Sequence, residues 1–268
     1  MPLLEVNSTN INYELDGAGP AVVFINGLTM SVNGWAAQVK DFSDRYQVLR
    51  YDCRGQGVSD KPDTEYTQEI HAEDLSGLLE QLNIRRAHII GLSNGGMIAQ
   101  HFALMYPEKT GALVLADTSS YVDKLLELFV LSWIEATEAG GNDLRFDVYL
   151  PQIFSESFIK NNPDLIKTMK EISSQINSPR AVINLANASL KHDVRQKLSQ
   201  IKTPTLIIVG EQDILIPPRY SKIMSEEIEN SKLVIMKDCA HVPPVEKPRE
   251  FNTTVLNFLN EHDSLLTD

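Results

Sequence analysis

A chain of 268 residues with 43% hydrophobic and 22% charged residues has the composition of an ordinary globular protein, which excludes disordered, collagen-like and coiled-coil classes. Its 24 Lys+Arg stand against 36 Asp+Glu, and the resulting net charge of −12 makes nucleic acid and other polyanions poor partners. A compact chain of this length removes roughly 70–75% of its unfolded surface from water, so one core needs no staple to hold it.

Leu3–Val6 and Ile11–Leu15 alternate in polarity around Asn7-Ser8-Thr9-Asn10, as an opening antiparallel hairpin does. The signal then changes. Ala21–Ile25, Gln47–Tyr51, Ala87–Ile90, Ala112–Ala116, Thr205–Val209 and Lys232–Met236 are compact apolar runs, expected of strands buried on both faces. Between them, helix-period stretches lie near Trp35–Arg45, Thr67–Leu82, Asn94–Tyr106, Pro217–Ile228 and Glu246–Glu261. This alternation predicts an α/β fold, a mostly parallel sheet flanked by helices.

The spacing breaks once, after the sixth strand. Tyr121 to Gln200 reads as several helices broken at Gly140-Gly141-Asn142, Asn161-Asn162-Pro163 and Asn177-Ser178-Pro179. The expected organisation is a core of residues 1–120 and 201–268 with a helical cap, 121–200, inserted into it.

Cys53 and Cys239 are far apart and read as small core residues, which fits a reducing compartment. No zinc-type spacing occurs, and neither a metal nor a cofactor is implied. Met1-Pro2-Leu3-Leu4-Glu5-Val6 lacks the pattern of a secretory signal. The longest apolar run, Leu125 to Ile134, is interrupted by Glu127 and Ser132 and is too short to cross a bilayer. The expectation is a cytoplasmic protein with neither membrane nor nucleic acid as partner; oligomeric state is open, a homodimer being one option.

The sharpest local signal is Gly91-Leu92-Ser93-Asn94-Gly95-Gly96, which follows a strand and opens a helix. A G-x-S-x-G pattern in that setting is a nucleophile elbow, because small residues on either side let the chain turn sharply and hold the serine hydroxyl out. A serine hydroxyl is a weak nucleophile, so a base must reach it and a third group must orient the base. Asp213 lies in the loop after Thr205–Val209, and His241 in the loop after Lys232–Met236, so both fall at the carboxyl edge of a parallel sheet. His71, His88, His101 and His192 lie inside predicted elements or the cap and His262 in the tail, so each is read as structural.

Asp117, just after Ala112–Ala116, is a competing acid, ranked below Asp213; Glu211 is close enough to Asp213 to be mistaken for it. Two backbone donors are needed for an oxyanion. The amide of Asn94 and that of Leu28, in the Asn26-Gly27-Leu28 loop after Ala21–Ile25, are the candidates. Phe129 and Trp133, on a cap stretch apolar around most of its circumference, and Asn26 are assigned to the substrate pocket. Arg145, Arg180 and Arg219 are each able to bind a carboxylate if they face that pocket.

With these residues in place the chain resembles the α/β-hydrolase superfamily over essentially its whole length. Asp52-Cys53-Arg54-Gly55-Gln56-Gly57-Val58-Ser59-Asp60 is similar to the family's D-x-R-G-x-G-x-S-D turn, and His241, Glu246, Pro248 and Phe251 to its H-x4-E-x-P-x2-F tail. Asn26 and Ala240 stand where the family often has His and Gly. Within the superfamily the chain is most similar to small-ester hydrolases and enol-lactonases such as 3-oxoadipate enol-lactonase. The resemblance implies a cofactor-free serine hydrolase acting on a small ester or lactone through an acyl-enzyme. C–C bond hydrolysis, haloperoxidase-like or lyase chemistry, or a slow-turnover ligand sensor, are the alternatives on the same framework. Serine at position 93 excludes an aspartate nucleophile.

Overall fold

The computed structural model describes residues 2–266. Eight strands form one sheet: β1 (Leu3–Val6), β2 (Thr9–Asp16), β3 (Ala21–Ile25), β4 (Gln47–Tyr51), β5 (Ala87–Leu92), β6 (Thr110–Ala116), β7 (Thr205–Gly210) and β8 (Ser231–Met236). Their order is β1-β2-β4-β3-β5-β6-β7-β8, with β1, β2 and β4 joined antiparallel and every other pair parallel. From β3 the chain steps out to β4 on one side and returns to β5 on the other. The carboxyl ends of β3 and β5 therefore flank a topological switch point, where open sheets of this kind form a crevice.

Ten helices accompany the strands among the described residues: α1 (Ala36–Ser43), α2 (Gln68–Gln81), α3 (Asn94–Met105), α4 (Lys124–Ile153), α5 (Glu156–Asn161), α6 (Pro163–Ile176), α7 (Pro179–Leu190), α8 (Pro218–Glu227), α9 (Pro243–Glu246) and α10 (Pro248–Asn260). Both faces of the sheet are covered. On one, Leu75, Leu78, Ile98 and Phe102 of α2 and α3 pack on Val23, Ile25 and Ile89. On the other, Phe42 of α1 and Phe251 and Val255 of α10 pack on Val22, Phe24 and Ile90. Residues of β3 alternate between these layers and all are buried, which is why the strand reads as a continuous apolar run.

The helices between β6 and β7 begin and break where local chemistry directs. Asp123 caps α4, its Oδ1 accepting the Leu125 and Leu126 amides at 3.0 Å. Gly140 and Gly141 leave helical geometry, Gly141 with φ +67°, and split α4 into two arms. Pro163 and Pro179 open α6 and α7 in their first turns. No helix among the described residues is long and apolar enough to cross a membrane.

Burial also silences several histidines. The rings of His71 and His88 are pushed down to about 4 and that of His192 to about 3, in each case chiefly because a charged imidazolium would lose its water. Neither ring nitrogen of His71 has a hydrogen-bond partner among the described residues. An unfolded chain protonates these groups near 6.5, so between pH 6.5 and 4 it binds more protons than the fold, and stability falls as pH drops through that window. His71 alone should contribute about 3 kcal/mol to this loss. Urea unfolding at pH 7 and pH 4.5 tests it: the difference in stability should be smaller by about 2–3 kcal/mol in His71→Leu, and an unchanged difference would refute the assignment.

Candidate active site

Strand β5 ends at Leu92 and helix α3 begins at Asn94, leaving Ser93 alone at the turn with φ +55° and ψ −118°. Such a conformation is costly for a residue with a Cβ and persists only where its surroundings impose it. Here they do. The Ser93 amide donates to the Ala116 carbonyl at 2.9 Å, and the Ser93 carbonyl accepts the Thr118 hydroxyl at 2.8 Å. A Cβ on Gly91 would lie 2.3 Å from the Gly95 carbonyl oxygen, and one on Gly95 would lie 2.3 Å from that of Ile25. The glycines are what allow the elbow to close against β3.

Three sheet ends converge on this turn. His241 Nε2 lies 2.9 Å from Ser93 Oγ, and His241 Nδ1 lies 2.8 Å from Asp213 Oδ2. The other Asp213 oxygen accepts the Leu215 and Ile216 amides at 2.9 Å, so the carboxylate is clamped and aimed. Asp213 and His241 are buried. The His241 amide donates to the Ile153 carbonyl at 3.0 Å, so the last turn of α4 holds the histidine loop down. Glu246 adds a second tie: one oxygen accepts the Ala240 amide at 3.3 Å and the Ser155 amide at 3.2 Å, the other the Ser155 hydroxyl at 2.5 Å.

Asp117 stands next to this array. Its Oδ1 accepts the Gly210 amide at 2.8 Å while Oδ2 has no hydrogen-bond partner among the described residues. Burial, and then the neighbouring Asp213 carboxylate, push its carboxyl well above the usual carboxylate range, which favours its neutral form. Candidate ligand atoms of Asp117, Asp213 and His241 lie within 4.8 Å of one another. Both imidazole nitrogens and both Asp213 oxygens are already engaged by protein groups, however, so the donor set does not fit a cation. Glu211 is exposed to solvent.

Leu28 lies in the loop after β3, which Gln56 steadies by donating to the Gly27 carbonyl at 2.7 Å. Asn94 opens α3, so its N–H is one of the donors that no carbonyl of the helix can reach. A cavity of about 330 Å³ opens at this point, lined by Leu28, Ser93 and His241 and walled mostly by apolar side chains.

The cavity walls differ from the sequence expectation. Trp133 lines the cavity, its indole N–H donating to Gln152 Oε1 at 2.8 Å. Phe129, one turn earlier, is not in the wall; it packs against the cluster of Leu126, Val130, Tyr220 and Trp133 itself. Much of the remaining wall comes from the second arm of α4 (Arg145, Phe146, Tyr149, Ile153) and from α6 (Leu165, Met169, Ile172), with Met30 and Val242 beside them. Nothing in the α6 pattern distinguished a cavity face from an ordinary amphipathic one.

Asn26 does not line the cavity either. It is fully buried beneath the loop, donating to the Tyr51 carbonyl at 2.9 Å and accepting the Trp35 indole N–H at 2.9 Å. It therefore anchors the Leu28 loop from below. Asp52 does related work, accepting the Val32 amide at 2.8 Å, while Arg54 grips Asp74 through two bonds of 2.6 and 2.7 Å. Burial raises the Cys53 thiol to about 12 and pushes that of Cys239 up strongly as well, so neither is available as a thiolate nucleophile.

The architecture has close counterparts. A crystal structure of an α/β-hydrolase enzyme from a Medee basin deep-sea metagenome library superposes with a TM-score of 0.92 at 34% identity, covering 97% of each chain. 3-Oxoadipate enol-lactonase 1 of Acinetobacter baylyi is 31% identical over 87% of this chain and 85% of its own. The 2-hydroxy-6-oxononadienedioate/2-hydroxy-6-oxononatrienedioate hydrolase of Burkholderia vietnamiensis is 30% identical over 93% of this chain and 90% of its own. The family model described as alpha/beta hydrolase fold matches residues 20–248, and with the sheet order and elbow already described, the chain belongs to that family.

Proposed function

We propose that the protein is a serine hydrolase of small carboxylic esters or lactones, with Ser93 as nucleophile, His241 as general base and acid, and Asp213 as the group that orients the imidazole. The observation that carries this reading is the continuous chain of contacts from Ser93 Oγ to His241 Nε2 at 2.9 Å and from His241 Nδ1 to Asp213 Oδ2 at 2.8 Å.

Ser93 Oγ attacks the substrate carbonyl as its proton passes to His241 Nε2. The new oxyanion is received by the amides of Leu28 and Asn94, placed by the ends of β3 and β5. Collapse expels the alkoxide or enolate, which takes the proton back from His241. Water then repeats the sequence on the acyl-Ser93 ester and releases the acid. Helices α4 and α6 give the cavity a largely apolar wall, and a low-dielectric wall strengthens each of these electrostatic contacts. The enol-lactonase relative supports ester or lactone chemistry.

The similarity to the Burkholderia vietnamiensis hydrolase supports a second reading, in which the same serine and histidine cleave a C–C bond next to a ketone. Progress curves with p-nitrophenyl butyrate and with a vinylogous 1,5-diketone acid separate the two. Many turnovers per protein on the ester are expected. A single stoichiometric burst would favour a slow sensor, and turnover of the diketone alone would replace ester cleavage by C–C hydrolysis.

A further inference from the structure

We infer that Asn177, at the break between α6 and α7, is a positioning residue for the oxyanion: its side-chain amide holds Thr29 in a conformation that a β-branched residue resists, and so fixes the turn that presents the Leu28 N–H. The inference rests on the serine-hydrolase reading for the reaction and extends it to the residues that aim one of its two oxyanion donors.

Thr29 is the backbone outlier of this loop. Among the described residues other than glycine, positive φ occurs at asparagine, aspartate and serine, and at Thr29 with φ +67°. A branched Cβ makes that region costly, and such strain persists only where the surroundings over-determine it. The Met30 amide donates to the Gly27 carbonyl at 3.2 Å, which closes a four-residue turn with Thr29 in its third position. A turn with positive φ there ordinarily takes glycine or asparagine. The same Gly27 carbonyl accepts Gln56 Nε2 at 2.7 Å. A peptide unit is planar and trans, so a Gly27 carbonyl held on one side turns the Leu28 N–H to the other. The turn lies against the nucleophile: a Cβ on Gly27 would be 3.7 Å from that of Ser93.

What restrains Thr29 comes from the insert between β6 and β7. Asn177 Nδ2 donates to the Thr29 carbonyl at 3.2 Å and to the Ser173 carbonyl at 3.0 Å. Both groups it faces are acceptors, so the amide nitrogen, and not the oxygen, must point to them. The Asn177 carbonyl in turn accepts Asn142 Nδ2 at 2.7 Å. Arg145 adds a longer contact, with Nη1 3.4 Å from Thr29 Oγ1 and Nη2 donating to Ser173 Oγ at 2.9 Å. Asn142, Ser173 and Asn177 are buried, where such bonds are costly to leave unmade. The helix breaks at Gly140-Gly141 and at Asn177-Ser178-Pro179 thus meet over the turn. Gln56 holds the turn from the sheet domain and Asn177 from the insert. Without the second tie Thr29 relaxes toward negative φ, and the peptide ahead of it swings the Leu28 N–H off the position an oxyanion takes.

The test is a double-mutant cycle on p-nitrophenyl butyrate with Asn177→Ala, Thr29→Gly and both together. Asn177→Ala should lower kcat by about 10- to 30-fold with KM within about twofold, a part of what complete loss of an oxyanion donor costs. Glycine at position 29 adopts positive φ without a Cβ penalty, so in Thr29→Gly the added Asn177→Ala should cost less than about threefold. A residue that only caps α6 would lower Tm equally in both backgrounds and leave kcat of the folded enzyme alone. A kcat loss under about threefold in Asn177→Ala, a loss that appears in KM, or equal losses in both backgrounds would overturn the inference. Should Asn177→Ala not fold, Asn177→Ser carries the same comparison, since a serine hydroxyl can bond the Ser173 carbonyl but stops short of Thr29. A readout without turnover separates this inference from the ester reading. Ser93 Oγ attacking ethyl p-nitrophenyl methylphosphonate forms a P–O bond and releases p-nitrophenolate, its proton passes to His241, and the phosphoryl oxygen takes the oxyanion's place. If wild type cleaves no ester but is phosphonylated on Ser93, and more slowly in Asn177→Ala, the ester reading fails and the positioning role stands. Ester cleavage by wild type with no difference between backgrounds removes the positioning role alone, and a Ser93 that reacts with neither compound removes both.

Discussion

Ser93→Ala is expected to lower p-nitrophenyl ester turnover by roughly three or more orders of magnitude, the scale on which loss of a triad nucleophile is felt. The fold should survive. The bonds that define the elbow, from the Ser93 amide to Ala116 and from Thr118 to the Ser93 carbonyl, are made by backbone groups of residue 93 and remain in the variant. The glycine contacts on either side are also untouched. The measurement is steady-state hydrolysis by a variant whose circular dichroism and melting curve match wild type. A folded Ser93→Ala protein with near-wild-type turnover would move the nucleophile elsewhere.

Asp213→Asn should cost roughly three to four orders of magnitude in kcat, and Asp117→Asn no more than about tenfold. The difference follows from what each carboxyl does. Asp213 Oδ2 is the acceptor that faces His241 Nδ1, and an amide there can turn its NH2 toward the ring and hold the wrong tautomer. Asp117 makes no hydrogen bond to His241 among the described residues, and burial and the Asp213 carboxylate favour its neutral form. Asparagine is close in shape to a protonated carboxyl and can still accept the Gly210 amide. Kinetics of the two variants on the same ester give the ranking, and the reverse order would place the acid after β6.

Much of this arrangement was legible in the chain. Each of the eight strands falls where an apolar or alternating run lies between turn residues, because strand period and turn chemistry are local properties. The breaks in the insert were legible for the same reason: Gly140-Gly141, Pro163 and Pro179 each impose a backbone requirement that neighbours cannot overrule. The convergence of Ser93, Asp213 and His241 was legible only by way of the fold, since loops that follow parallel strands must open on one edge of the sheet.

The sequence by itself determined the elements, the elbow and the loops that carry the reactive groups. The tertiary structure decided what surrounds them. Asn26 reads as a pocket residue because it neighbours Gly27, yet its side chain turns inward to Tyr51 and Trp35. Phe129 and Trp133 share an apolar stretch and pack in one cluster with Leu126, Val130 and Tyr220, and only the tertiary arrangement brings Trp133, and not Phe129, to the cavity wall. Three arginines were equivalent in the sequence. Two found carboxylates at the surface, and the third was carried by the second arm of α4 to within 3.4 Å of Thr29, 116 positions away. Such contacts depend on how a broken helix folds back over a sheet, and a period or a turn signal, which reports only on its own few residues, contains no term for that.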